Sequence, residues 1–274
     1  MNKFIICIWS FGLLISCSND NQTSTKQNII SSTVEETPII AYSLVKTFPH
    51  DTTSYTQGFL IHDKYLFEST GSPINQKQTK SVFGILDTST GKINVKAELD
   101  RNRYFGEGIA ILKNKVYQLT WKNQTGFIYD AKTFKSLGQF SFANKEGWGL
   151  TTDGTYLIMS DGTHKITYIN PSNLKVIKTI EVTNNRYVED NLNELEFING
   201  YIYANVYQKN YIVKIDTSNG NVTGILDLSS LVDRAQIKSS GAEVLNGIAF
   251  DSITNRIFVT GKLWPDIYQI DFVH

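Results

Sequence analysis

From Ala41 onward, apolar and polar residues alternate in short runs rich in Tyr, Ile, Val, Phe and Thr, separated by Asp-Gly, Asn-Gly, Asn-Lys and Thr-Gly pairs. Period-two alternation is the mark of half-buried strands, and these dipeptides supply the backbone freedom of tight turns. No window of twelve or more residues carries a convincing 3.6-residue period, so a nearly all-β domain is predicted.

The alternation is itself repeated. A glycine or its equivalent leading into an apolar strand recurs as Gln57-Gly58-Phe59, Glu107-Gly108-Ile109, Trp148-Gly149-Leu150, Glu194-Leu195-Glu196-Phe197 and Asn246-Gly247-Ile248, at steps of 50, 41, 46 and 52 residues. Each opening strand meets a turn (for example Asp153-Gly154 or Asn199-Gly200) and a second strand. In four of the repeats a third strand then ends in an Asp- or Asn-led turn such as Val213-Lys214-Ile215-Asp216. A step of 40 to 50 residues is the length of a four-stranded blade, so residues 41–274 are predicted to form a five-bladed β-propeller. A two-sheet sandwich offers no reason for one first-strand motif to recur five times. The last repeat stops after its third strand, and Ala41 to Phe48 is an orphan strand before the first. The predicted closure pairs the two, so that no inner edge stays open.

The first forty residues have a different pattern. Lys3, the apolar run Phe4 to Ile15 and Leu14-Ile15-Ser16-Cys17 read as an export signal over 1–16, too short to span a bilayer, and the ending resembles a bacterial lipobox. Cys17 is then the expected lipidation site, and Cys7 is removed with the signal. Residues 17–40 are polar and Ser/Thr/Asn/Gln-rich, the composition of a tether. A lipid-anchored, exported protein of the bacterial cell envelope is expected, facing the periplasm, with no disulfide in its fold.

Composition narrows the chemistry. The 274 residues hold 26 basic and 26 acidic side chains, so no general field gathers nucleic acid, and no local basic cluster stands out. The four histidines, His50, His62, His164 and His274, lack metal-ligand spacing. In a propeller the blades' first strands line the axis. The motif-leading residues Gln57, Glu107, Trp148, Asn193 with Glu194, and Asn246 are therefore expected to converge at one mouth. One carboxylate, carboxamides and an indole suit a small polar group held against aromatic walls. Glu194, Glu196 and Asp161 offer an alternative, a carboxylate cation site.

A run of motifs then carries a family resemblance: Tyr55-Thr56-Gln57-Gly58-Phe59, Glu68-Ser69-Thr70-Gly71, Phe105-Gly106-Glu107-Gly108, Tyr117 to Lys122, Glu146-Gly147-Trp148-Gly149-Leu150, Met159-Ser160-Asp161-Gly162, Leu192 to Glu196, Tyr203-Ala204-Asn205-Val206, Leu245 to Ala249 and Thr260 to Pro265. In order and register, from Ala41 to Asp271, the chain resembles the plant and bacterial type of glutaminyl cyclase, the glutamine cyclotransferases. The resemblance implies a five-bladed propeller that converts N-terminal glutamine of peptides or proteins to pyroglutamate and releases ammonia. It implies no catalytic zinc and no cofactor, although a structural cation on the axis stays open. Nothing in the sequence suggests an obligate oligomer, so a monomer is expected.

The same resemblance implies roles. Glu107 matches the general acid/base. Trp121 and Trp148 match the pocket indoles; Gln57, Asn193 and Lys262 match its polar contacts, and Phe105 an apolar wall. Read without the resemblance, the two indoles suit interblade core and Asn246 suits a turn anchor. Two departures stand out: Tyr207 occupies the family's usual Trp position, and Ser72 to Lys80 is a longer polar loop where the family has a short segment ending in Arg. Burial beside the aromatics is expected to raise the Glu107 pKa, and Asn193, Lys262 and an indole N–H are expected to hold a developing oxyanion. The reading from another functional class is a non-catalytic, lipid-anchored propeller that binds peptides or envelope proteins.

Overall fold

The computed structural model describes residues 36–274; the expected signal, Cys7, Cys17 and residues 18–35 of the tether lie outside them. Strand β1 spans Tyr42–Pro49. Blade 1 follows as β2 (Tyr55–His62), β3 (Tyr65–Gly71), β4 (Val82–Asp87) and β5 (Lys92–Glu98). Blade 2 is β6 (Gly106–Leu112), β7 (Lys115–Thr120), β8 (Thr125–Asp130) and β9 (Ser136–Ser141), and blade 3 is β10 (Leu150–Thr152), β11 (Leu157–Ser160), β12 (Lys165–Ile169) and β13 (Val176–Glu181). A small hairpin, β14 (Thr183–Asn184) with β15 (Tyr187–Val188), precedes blade 4, which holds β16 (Leu192–Ile198), β17 (Tyr201–Val206), β18 (Tyr211–Asp216) and β19 (Val222–Asp227). After helix α1 (Ser229–Lys238) come β20 (Leu245–Asp251), β21 (Arg256–Gly261) and β22 (Asp266–Phe272).

Each blade is an antiparallel meander, and β1 pairs with β22 to complete the fifth. The inner strands β2, β6, β10, β16 and β20 neighbour one another in that order, and β20 returns to β2. The ring is therefore closed, a five-bladed propeller with the strand exchange that the orphan N-terminal strand predicted. Just ahead of β1, Ile40 N–H donates to the Ile225 carbonyl (2.8 Å) and Ile225 N–H to the Pro38 carbonyl (2.9 Å). The outer edge of blade 4 is thus covered by the segment that goes on to close blade 5.

The core is divided into wedges between blades. Ile158 and Ile166 of blade 3 pack with Leu195, Ile202 and Val213 of blade 4, all fully buried. Burying one such side chain contributes about 1.5–3 kcal/mol. The element that the periodicity did not predict is α1. It is ten residues long and fixes itself by burying Leu231, Val232 and Ala235 beside Trp264 and Tyr268. Three apolar positions over so short a span fall below what a twelve-residue window detects.

Ring closure also rests on a buried ion pair. His50, the residue after β1, has a side chain with no solvent exposure. Its Nδ1 lies 2.9 Å from the Trp264 carbonyl, and its Nε2 lies 3.1 Å from each carboxylate oxygen of Glu68 in blade 1. Both nitrogens face acceptors, so both donate and the ring is an imidazolium. Burial pulls the His50 pKa down, but the charge and hydrogen bonds of Glu68, with the Trp264 carbonyl, outweigh it and the pKa is raised. The stabilisation is present below the ordinary histidine value of 6.5 and is lost as pH rises through the higher folded value. His50→Ala should cost about 3–5 kcal/mol in urea unfolding at a pH below 6.5, because it strands the Glu68 carboxylate in the interior. A loss below about 1 kcal/mol would show that the pair does not hold the ring.

Candidate active site

The axis is crowded, and the crowding explains the repeated motif. A Cβ on Gly58 would fall 2.7 Å from the Ile109 nitrogen, one on Gly108 2.5 Å from the Leu150 nitrogen, and one on Gly149 2.1 Å from the Asn193 carbonyl oxygen. Each of these glycines lets its strand lie against the next blade. The fourth repeat has Glu194-Leu195 instead, and there the Glu194 carboxylate crosses the axis to accept N–H groups from Ile248 (2.8 Å) and Phe59 (3.1 Å).

At the same level the register slips. Pairing is interrupted between Thr56 and Gly58 in β2, Gly106 and Ile109 in β6, Leu192 and Leu195 in β16, and Leu245 and Ile248 in β20. Gln57, Glu107, Asn193 and Asn246 all sit in these bulges, released from the regular alternation. A bulge re-aims its side chain, here toward the mouth of the channel. The residues immediately after the second strands of blades 2, 4 and 5 are Trp121, Tyr207 and Lys262. Each is pinned by its own N–H, to the carbonyls of Phe105 (3.1 Å), Asn191 (2.8 Å) and Val244 (3.0 Å) respectively.

Gln57, Glu107 and Asn193 of the first set and all three residues of the second line a cavity of about 470 Å³. Gln57, Phe105, Glu107, Trp121, Trp148, Asn193, Tyr207 and Lys262, the residues singled out from the sequence, all line it. Three further contributions were not among the predicted site residues, although the Ser72 to Lys80 loop stood out as a departure from the family pattern. Tyr55 stands two residues before Gln57, at the start of β2, and lines the cavity with it. The other two are the loop residues Ser72 to Asn75, and Arg101. The Arg101 guanidinium donates to the carbonyls of Lys77, Thr79 and Pro73, fastening the Ser72 to Lys80 loop beside the mouth.

Glu107 is 3% exposed. Gln57 Nε2 donates to its Oε1 (2.9 Å), while Asn246 Nδ2 donates to the Thr56 carbonyl (2.9 Å) and the Gln57 Oε1 (3.3 Å). Asn246 does not reach the cavity; it orients Gln57, which in turn orients the carboxyl. Burial pushes the Glu107 pKa well above the ordinary carboxylate value of 4.5, with the Lys262 charge opposing the shift and the Glu146 charge adding to it. Lys262 is buried as well. Its Nζ lies 4.7 Å from the Tyr55 ring centre and 5.5 Å from that of Tyr207, and burial lowers its pKa to about 8, against the pull of Glu107 and Glu243. Asn193 is 2% exposed and its buried Oδ1 has no hydrogen-bond partner among the described residues.

The expectation of an indole N–H in the oxyanion site is corrected. Trp121 Nε1 and Trp148 Nε1 both donate to Glu146 Oε2, at 2.6 and 2.9 Å. A carboxylate is a far better acceptor than any group the cavity offers, and it takes both donors. The indoles serve instead as walls, with Phe105 edge-on to Trp121 (5.7 Å) and Tyr207 edge-on to Trp148 (5.6 Å). The alternative cation site is not assembled either. Asp161 bonds Asn144 and Thr163, Glu194 bonds the inner-strand amides, and Glu196 bonds Phe250 N–H (2.8 Å) and Thr151 (3.1 Å). Among the described residues, no group of three or more His, Cys, Asp or Glu side chains is placed to hold a metal.

The family model described as glutamine cyclotransferase matches residues 13–272. The glutaminyl-peptide cyclotransferase of Arabidopsis thaliana is 41% identical over 253 residues, covering 91% of this chain and 75% of that one. The crystal structure of Myxococcus xanthus glutaminyl cyclase superposes with a TM-score of 0.76 at 30% identity, over 86% of this chain and all of that one. With the pocket built from the family's motifs and the match running almost end to end, the chain belongs to the glutamine cyclotransferase family.

Proposed function

We propose that the protein is a glutaminyl-peptide cyclotransferase, converting N-terminal glutamine of peptides or proteins to pyroglutamate with release of ammonia. The observation that carries the reading is Glu107: a buried carboxyl, its pKa pushed up by burial, lining an aromatic-walled cavity of about 470 Å³ that has room for an N-terminal glutaminyl residue. A purely binding propeller has no physical need for such a group.

In the proposed reaction the neutral α-amine nitrogen attacks the γ-carboxamide carbon. A C–N bond forms, the five-membered ring closes, and the bond to the amide nitrogen breaks. The attacking nitrogen sheds one proton and the leaving nitrogen gains one, so ammonia departs neutral and the balance closes without any added reactant. Both reacting groups belong to one residue, so the cavity has chiefly to hold the curled conformer, an effect that reaches about 7–11 kcal/mol in well-oriented systems. Glu107 gives its proton to the leaving nitrogen and recovers one from the attacking nitrogen, returning to its starting state. The Lys262 ammonium and the Asn193 carboxamide, both lining the cavity, face the carbonyl oxygen as it gains charge. These groups belong to the chain and its substrate, and EDTA is expected to leave turnover unchanged.

The envelope setting is part of the same proposal. Its support is the Leu14-Ile15-Ser16-Cys17 sequence with the polar stretch behind it, which together tether a monomeric propeller to a membrane by a lipid on Cys17.

Purified protein should release ammonia from Gln-Ala or Gln-β-naphthylamide. Glu107→Gln should lower kcat by about 10²–10⁴-fold, and retention of most of the activity would remove Glu107 from the chemistry. The wild-type rate should rise as the substrate amine deprotonates near its ordinary value of about 7.7–8.0. It should then fall as Lys262 loses its proton through about 8; a rate that keeps rising a full unit higher would exclude the ammonium from the oxyanion site. Cys17→Ser should move the protein from the membrane fraction to the soluble one, and continued membrane association would refute the lipid anchor.

A further inference from the structure

Glu146 is part of the Glu146-Gly147-Trp148-Gly149 motif, yet the proposed chemistry gives it no task. It is half-buried, does not line the cavity, and makes no ion pair among the described residues. Its Oε2 nevertheless accepts both indole N–H groups of the pocket wall, from Trp121 in blade 2 (2.6 Å) and Trp148 in blade 3 (2.9 Å). The backbone repeats the link, since Gly147 N–H donates to the Trp121 carbonyl (2.8 Å).

We propose that Glu146 is a positioning residue: one carboxylate oxygen clamps the edges of two indoles across a blade boundary and sets the angle at which their faces close on the glutaminyl side chain. The inference rests on the cyclotransferase reading and extends it to a residue outside the cavity.

The physical case begins with the shape of an indole. Its N–H edge is its one strong hydrogen-bonding group, so a bond there selects one ring orientation over its flipped alternative. Packing holds Trp121 against Phe105 and the Lys122 ammonium (3.7 Å from the ring centre), and Trp148 against Tyr207 and Gly162, contacts that make no hydrogen bond to either indole N–H. A shared acceptor couples the two rings, so neither turns without breaking a charge-assisted bond. Rate enhancement in this pocket depends on holding a curled substrate, and wall displacements near 1 Å can cost about 10²-fold in such systems.

Three proteins separate geometry from charge. A glutamine oxygen has two lone pairs and can accept both indoles without the negative charge, whereas alanine accepts neither. Glu146→Ala should lower kcat on Gln-β-naphthylamide by tenfold or more, with a thermal midpoint near that of wild type, and Glu146→Gln should recover most of that loss. In ¹⁵N-tryptophan-labelled protein, the indole N–H signals of Trp121 and Trp148 should lie downfield and exchange slowly in wild type and in Glu146→Gln. In Glu146→Ala both should move upfield and exchange faster, while Trp264, bonded to the Glu243 carbonyl, stays fixed as a reference. Wild-type kcat in Glu146→Ala, unmoved indole signals, or a Glu146→Gln enzyme as slow as the alanine variant would each overturn the clamp. If wild-type protein releases no ammonia, the functional reading fails, while the indole signals still decide whether the clamp exists.

Discussion

Everything specific about this propeller follows from how closely its five inner strands approach the axis. At separations where an added Cβ would lie 2.1 to 2.7 Å from a neighbouring strand's backbone, only glycine fits at Gly58, Gly108 and Gly149, and regular pairing cannot be kept. The strands answer with bulges, and a bulge has two consequences. It leaves a residue free of the ladder, and it points that residue into the space the five strands share. Gln57, Glu107 and Asn193 reach one cavity because the ring is tight.

Burial around this shared space then sets the electrostatics. Glu107 and Lys262 are both buried without a direct ion pair, so each is pushed toward its neutral form: the carboxyl upward, the ammonium downward to about 8. Opposite charges that are near but not bonded moderate each other without cancelling, the condition under which a carboxyl keeps an exchangeable proton near neutrality. The contrast with His50 and Glu68 is instructive. There donor and acceptor meet at 3.1 Å, the His50 pKa is raised in spite of burial, and the pair stitches the N-terminal strand to blade 1. Burial is similar in the two places; contact distance decides whether the outcome is a reactive group or a structural bond.

How much of this the chain displayed beforehand follows from the same constraint. The glycine-led motif recurs because each blade meets the same packing problem, so blade number and ring closure were legible from the repeats. Phe105, Trp121, Tyr207 and Lys262 were legible as pocket residues only through the family resemblance, and Tyr55, Ser72 to Asn75 and Arg101 were not. Helix α1 was not, since ten residues with three buried positions leave too little periodic signal. His50 read as one of four scattered histidines because its partner Glu68 lies in another blade, and no spacing encodes that pair. The indoles were recognised as pocket residues, yet their N–H groups were misassigned: which acid takes them depends on Glu146 rising behind the wall, a three-dimensional fact. The order of residues thus announces what repeats, and it is silent on contacts made once, between blades.

The central claim is that ring packing keeps a proton on Glu107. It is tested most directly by isotope-edited infrared titration of wild-type protein labelled with ¹³C-carboxyl glutamate, with Glu107→Gln subtracted to isolate one carboxyl. The account predicts a single protonated-carboxyl band that persists to a midpoint well above the ordinary value of 4.5. A carboxyl that ionises at or below 4.5 would contradict it, whatever the enzyme's rate.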